Sequence, residues 1–358
     1  MGLSRRCKCI VMFLLRTLSF TSCGLNSYAT VRMEMLMIDV FAHGYRFNLH
    51  LAGTVCEVET NHCRLGFTLR YWTVAAPEGD ATGNFAMQIF VSAGSAPPSE
   101  RPHFRGLNHV VVASFGHANV FLFDLLRRRI IAQVSERVAG DPLFWNERLL
   151  PIAVGVFGPT VGVVPVHCAC LCLEGEGVLV AGISGAGKST LSAALVQSGF
   201  DYVSDDWTYI GRGDGGLLAH GMSAHIKLLP DAIAHFPMLA EHSLITSLNG
   251  ELAYEVAADA FGGDIFRSCE PRRCIFLERS SQLTSSFAPL GAEQMRLGLQ
   301  SSVERLPSQL PEAARTRSEI IEELACLPCW TFRYGGTPQF AAQEILAFVC
   351  SQKQELTT

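Results

Sequence analysis

The sequence predicts an α/β protein in which a β-rich N-terminal domain precedes a larger domain built on a strand, a glycine-rich loop and a helix. Three observations lead there. Residues 36–137 break into short runs in which apolar and polar residues alternate, separated by Gly, Pro and Asn, as half-buried strands are. Gly177-Val-Leu-Val-Ala181 is a short apolar run of the kind a buried strand makes, and it leads directly into Gly182-Ile183-Ser184-Gly185-Ala186-Gly187-Lys188-Ser189-Thr190. From Ser189 to Gly199 apolar residues then recur at helical spacing.

The chain has 358 residues, 49% of them hydrophobic and 17% charged, enough for two packed units with little disorder. A net charge of -5 and the lack of a Lys/Arg stripe interleaved with aromatics argue against nucleic acid as a partner. Thirteen cysteines at irregular spacings fit a reduced, cytoplasmic protein better than a disulfide scaffold. Cys168, Cys170 and Cys172 alternate along one expected strand, so they share a face and suit a packed sheet as small hydrophobes. Cys326 and Cys329 have redox-motif spacing without a thioredoxin-like pattern around them, and core packing is the expectation there too.

Residues 1–36 read as an N-terminal extension. Arg5, Arg6 and Lys8 before the apolar run Cys9–Leu15 resemble parts of a secretory signal, but Arg16 cuts the run and no small-residue cleavage site follows. A start further on, near Met33, Met35 or Met37, fits equally. The β-rich domain is expected over 37–140, with His109–Ser114, Val120–Asp124 and Arg129–Val134 forming an antiparallel meander. A helix over Asp141–Val156, capped by Asp141 and kinked near Pro151, leads into the second domain, 141–358. Residues 149–172 carry no Lys, Arg, Asp or Glu, yet Pro151, Gly155, Gly158, Pro159, Gly162 and Pro165 break the run, so no membrane span is expected. The tail predicts helices near 292–300 and 313–324, a strand at Trp330–Tyr334 and a last helix over Pro338–Val349.

The segment Gly182–Thr190 fits the phosphate-binding loop pattern G-x-x-x-x-G-K-[ST]. Gly185 and Gly187 allow a tight turn with N–H groups aimed inward, Lys188 reaches toward outer phosphates, and Ser189 offers a hydroxyl to Mg2+. The helix N-terminus adds a dipole that favours an anion. Further on, Gly199-Phe-Asp-Tyr-Val-Ser-Asp205-Asp206 is a short strand ending in two carboxylates, which can divide metal binding and proton acceptance between them.

Taken together, Val166-His167-Cys-Ala-Cys170, the loop and the Asp205-Asp206 pair resemble the catalytic core of the HPr kinase/phosphorylase family in order and spacing. The resemblance implies a P-loop, phosphoenolpyruvate-carboxykinase-like mixed-sheet kinase domain that transfers phosphate from ATP to a serine of a protein or peptide. It further implies that Gly182–Thr190 binds the ATP phosphates with Lys188 acting in the transfer, that Ser189 and Asp206 hold Mg2+, and that Asp205 with His167 handles the hydroxyl proton. The chain reads Lys-Ser-Thr where bacterial HPr enzymes have Lys-Ser-Glu, and their Leu-Glu-x-Arg-Gly signature is replaced by His220-Gly-Met-Ser-Ala-His-Ile. It therefore looks more like relatives that keep the nucleotide core and act on another acceptor. Arg267, Arg272 and Arg273 read as solvated arginines. A small-molecule hydroxyl kinase and a non-catalytic ATP-binding regulatory module are the alternatives. A transport ATPase is disfavoured, since no LSGGQ-like signature is present. A homo-oligomer is left open.

Overall fold

The computed structural model describes residues 9–10, 37–38, 44–70, 84–99, 102–248, 250–302 and 310–357. The extension read over 1–36 lies outside them apart from Cys9–Ile10, which pair with Met37–Ile38.

The first sheet contains β1 (Tyr45–Leu51), β2 (Thr54–Thr60), β3 (Phe85–Ser92), β4 (His103–Leu107), β5 (Val110–Ser114), β6 (Val120–Asp124) and β7 (Arg129–Ser135), with a short helix α1 (Leu65–Arg70) after β2. Its order is β1-β2-β3-β7-β6-β5-β4. Strands β5 to β7 form the expected antiparallel meander, which β4 extends by one strand, while β3 is parallel to both its neighbours. Strict alternation of buried and half-buried residues along β3 turns Phe85, Met87, Ile89 and Val91 to the core.

Onto that core packs α2, over residues 142–157. Asp141 caps it by accepting from the Phe144 N–H at 3.0 Å, and Pro142 occupies the first turn. The kink expected at Pro151 takes a definite form: proline has no N–H for the Glu147 carbonyl, and the helix passes through a wider π turn at Trp145–Leu149. Phe144, Trp145, Leu150 and Phe157 bury against Phe85, Phe115, Phe121 and Phe123, each contributing ~1.5–3 kcal/mol of transfer free energy.

The second sheet is mixed. It comprises β8 (Val164–Val166), β9 (Ala169–Leu173), β10 (Glu176–Ala181), β11 (Asp201–Ser204), β12 (Thr208–Gly213) and β13 (Gly216–His220). After a small three-stranded sheet of β14 (His225–Leu228), β15 (Ile245–Thr246) and β16 (Leu252–Ala257), the chain re-enters with β17 (Ser268–Arg279), β18 (Ser286–Pro289) and β19 (Cys329–Tyr334). The order is β8-β12-β13-β17-β10-β9-β11, and β19 lies parallel to β17 on its other side. Helices α3 (Lys188–Gln197) and α6 (Pro338–Thr357) cover one face; α4 (Ala292–Ser302) and α5 (Pro311–Ala325) cover the other. Covering on both faces explains why β9 and β10 are apolar almost throughout. The tail elements match their sequence expectation.

Two readings need correction. The strand expected to carry Cys168, Cys170 and Cys172 begins only at Ala169, and the apolar run before it is a separate strand: β8 pairs with β12, and β9 pairs with β10 and β11. The chain changes neighbours at His167 and Cys168, where the Cys168 N–H turns back to the Val166 carbonyl and Thr208 Oγ1 donates to the Cys168 carbonyl at 2.7 Å. Arg273, read as solvated, is buried and bonded to Glu176 at 2.6 Å, while Arg272 is paired with Glu270. Cys168, Cys170 and Cys172 do share one buried face, joined by Cys269, Cys274 and Cys329. Cys326 is exposed, so the Cys326/Cys329 spacing brings no thiol pair together inside the core. Among the described residues no helix is long and apolar enough to cross a membrane.

Candidate active site

Strand β10 ends at Ala181, the loop spans Gly182–Gly187, and α3 begins at Lys188. Three glycines hold left-handed backbone there: φ is 152° at Gly182, 80° at Gly185 and 90° at Gly187. Two of them are also closely approached by neighbouring groups. A Cβ on Gly182 would lie 3.2 Å from the Leu277 carbonyl, and one on Gly187 would lie 3.2 Å from the Tyr334 hydroxyl. That hydroxyl donates to the Ala186 carbonyl at 3.1 Å and so braces the loop from below. Ile183, Ser184 and Gly185 form an exposed crest, whereas Lys188 is buried beneath it with Nζ donating to the Gly182 carbonyl at 3.1 Å. Thr190, one residue past Ser189, is half-buried in the first turn of α3.

The two carboxylates arrive from β11. Ser204, its last residue, points inward to Thr208, its Oγ 2.6 Å from Thr208 Oγ1. The chain then reverses: the Trp207 N–H bonds the Asp205 carbonyl at 2.7 Å, and Asp206 takes φ 62°, unusual for a side chain with a Cβ. This twist sends neighbouring carboxylates in different directions. Asp205 lies toward α3, where the nearby Ser189 hydroxyl favours its charged form. Its Oδ1 is shut from solvent and has no hydrogen-bond partner. Burial, and next the charge of Asp206, push the Asp205 carboxyl up to about 7.

Asp206 instead meets His167, with Nε2 2.8 Å from Oδ1. The imidazole is tilted over Trp207 with ring centroids 5.3 Å apart, which fixes its plane. The surrounding protein disfavours charge on Asp206, but the hydrogen bond and charge of His167, with Lys188 and Lys227, hold it below the usual carboxylate range. Its side chain stays 62% exposed, so this pair faces outward while Asp205 faces in.

All the sequence-derived site residues thus converge at the carboxyl end of β10, with His167 bonded to the second carboxylate rather than the first. His167 was expected to work with Asp205; its hydrogen bond in the structure is to Asp206, while Ser189, expected to share a metal with Asp206, lies beside Asp205. The reversal at Asp205–Trp207 is the cause, since a continuing strand would have alternated the two side chains in the other sense.

No family model matches the chain, and no curated protein matches it. Among solved structures it is similar to the HPr(Ser) kinase/phosphatase from Coxiella burnetii, at 14% identity over 54% of this chain and 99% of that one, with a TM-score of 0.30. A likeness of that size decides nothing about chemistry.

Several neighbours of the site carried no signal in the sequence. Tyr334 read only as a strand residue, Trp207 only as the residue after an Asp-Asp turn. Lys227 and Glu255 face each other across β14 and β16, and Lys227 Nζ lies 3.8 Å from Glu147 Oε1 on α2. Burial raises Glu255 to about 7, helped by the charges of Glu147 and Asp205. Among the described residues no three His, Cys, Asp or Glu side chains gather as a metal cage. Mg2+ does not need one, because it binds through one or two carboxylates, water and substrate phosphates.

Proposed function

We propose that this protein is an ATP- and Mg2+-dependent phosphotransferase that acts on a hydroxyl, with serine of a protein or peptide as the acceptor. The observation that carries the reading is the division of the carboxylate pair beside the phosphate loop, one buried beside the loop's serine with an unpartnered oxygen and the other hydrogen-bonded to a histidine. A loop that only bound nucleotide would need the first and have no use for the second. The nine-stranded mixed sheet is read with it as a phosphoenolpyruvate-carboxykinase-like core, supported by the antiparallel β9, which delivers His167 to the mouth of the loop.

In this reading the loop N–H groups and the α3 terminus hold the polyphosphate. Lys188 exchanges the Gly182 carbonyl for a phosphate oxygen. Ser189 and Asp205 would hold Mg2+, a fit supported by the unpartnered buried Oδ1 of Asp205, whose cost a cation would relieve. When bound, the metal neutralises charge shared between the outer phosphates. Asp206 and His167 accept the proton of the attacking hydroxyl, the carboxylate fixing the imidazole tautomer. The exposure of Asp206 and of Ile183, which is 81% exposed, leaves the transfer edge open to a macromolecular acceptor. ATP use accords with a cytoplasmic setting, and the net charge with a partner other than nucleic acid.

The test is incubation of the chain with γ-labelled ATP, Mg2+ and fractions of its own cell extract. An acid-stable label on a protein band is expected. Label on a small molecule instead would move the acceptor to that class, and no transfer with intact ATP binding would leave a regulatory nucleotide module.

A further inference from the structure

Arg279 ends β17, and its Cα partner across the parallel ladder is Tyr334 at the end of β19. Strand β17 also runs parallel to β10, with Phe276 level with Ala181, the residue before the loop. Arg279 therefore stands three residues, ~10 Å, past the level at which the loop leaves the sheet. Ligands of open α/β sheets bind beyond these carboxyl ends. The guanidinium carbon lies 4.9 Å from the centre of the Tyr334 ring, and the hydroxyl of that ring is the group bonded to Ala186 inside the loop.

The charge arrangement around Arg279 is also uneven. Neighbouring arginines are committed: Arg273 to Glu176, Arg272 to Glu270, and Arg333 to Glu278 at 2.7 Å, which occupies the carboxylate next to Arg279 in sequence. Among the described residues Arg279 forms no ion pair with a carboxylate; it rests exposed on an aromatic face. Such a stack holds a guanidinium in place at small cost and yields readily to a doubly charged oxygen ligand.

We infer that Arg279 is a further phosphate-binding residue of the nucleotide site, which swings from Tyr334 onto the polyphosphate held by the loop. This rests on the nucleotide reading above. Arg279 supplies a planar, bidentate cation from the end of β17, and Tyr334 couples its position to the loop backbone.

Calorimetric titration of the full chain with ATP and with inorganic tripolyphosphate, both with Mg2+, tests it in wild type, Arg279→Met and Arg279→Lys. Arg279→Met is expected to weaken both ligands about tenfold, the loss of one charge-assisted contact. Arg279→Lys should fall between, and ligand-free melting should be unchanged in both variants. Unchanged ATP affinity in Arg279→Met overturns the inference. So does a loss for ATP with none for tripolyphosphate, which would place Arg279 on the base. If wild type binds neither ligand, the nucleotide reading itself fails and this inference with it; if Arg279→Met fails to fold, the Arg279→Lys titration decides, with unchanged affinity counting against.

Discussion

Asp205 and Asp206 are adjacent in sequence and share a side-chain type, yet one is driven toward neutrality by burial and the other held ionised by an imidazole. That difference predicts separable losses. Asp205→Asn should weaken Mg2+-dependent ATP binding, while Asp206→Asn should leave nucleotide affinity nearly unchanged and cut transfer by ~10²-fold or more, as loss of proton acceptance does. Calorimetry and single-turnover transfer on both variants check it; equal loss of metal affinity in both would refute the division. Lys188→Ala should strongly weaken Mg-ATP binding, measured the same way. Its folded-state cost should be small, because the bond it loses is one to the loop's own Gly182 carbonyl. The loop residues were legible in the sequence because backbone geometry dictates them: only glycine tolerates φ near 90° with a hydroxyl 3.2 Å from the missing Cβ. The carboxylate partners were not, because a single left-handed residue, Asp206, reverses them, and an aspartate takes that conformation only occasionally.

At the scale of elements, periodicity was a good guide wherever both strand neighbours matched its pattern. Alternation placed Cys168, Cys170 and Cys172 on one face and Ala169, Leu171 and Leu173 on the other, as the two cores confirm. The hairpin that carries His167 to the loop closes through Glu174 and Gly175, with φ 53° and 85°, the two-residue turn with positive φ that matches strand twist. The break at His167 was invisible because Val164–Cys172 is apolar on both sides of it; only long-range pairing with β12 separates the two pieces. The loop is itself an element under constraint, tied to β19 through Tyr334. Gly187→Ala must adopt a strained backbone and displace the Tyr334 hydroxyl, so it should destabilise the fold by ~1–3 kcal/mol. ATP affinity should fall with it. Urea melts together with ATP titration check this, and retention of wild-type values in both would mean that the loop is not braced from below.

Across the whole molecule, composition and motif spacing announced a β-rich first part and a mixed α/β second part, but nothing local showed how the two sheets meet. One contact is made by Gly53, at the β1–β2 turn with φ 77°: a Cβ there would fall 2.6 Å from the His220 imidazole at the end of β13. His220 is thereby half-buried against the first sheet, and burial alone lowers its pKa to about 4 from the ordinary 6.5. In the unfolded chain the same imidazole protonates near 6.5, so between those values the unfolded state binds more protons and stability rises with pH. The contribution is level above about 6.5 and is lost progressively as pH falls toward 4, by at most about 3.5 kcal/mol at 1.4 kcal/mol per unit. His220→Gln keeps a polar side chain without the titration. It should lower stability at neutral pH through imperfect packing but flatten the acid limb, so that the gap between wild type and variant narrows from pH 7 to pH 4.5. Urea midpoints across that range, taken in EDTA to keep metal binding out of the comparison, measure the gap. A gap that stays constant with pH would show that His220 takes up its proton in the folded protein, and that water reaches the junction between the sheets.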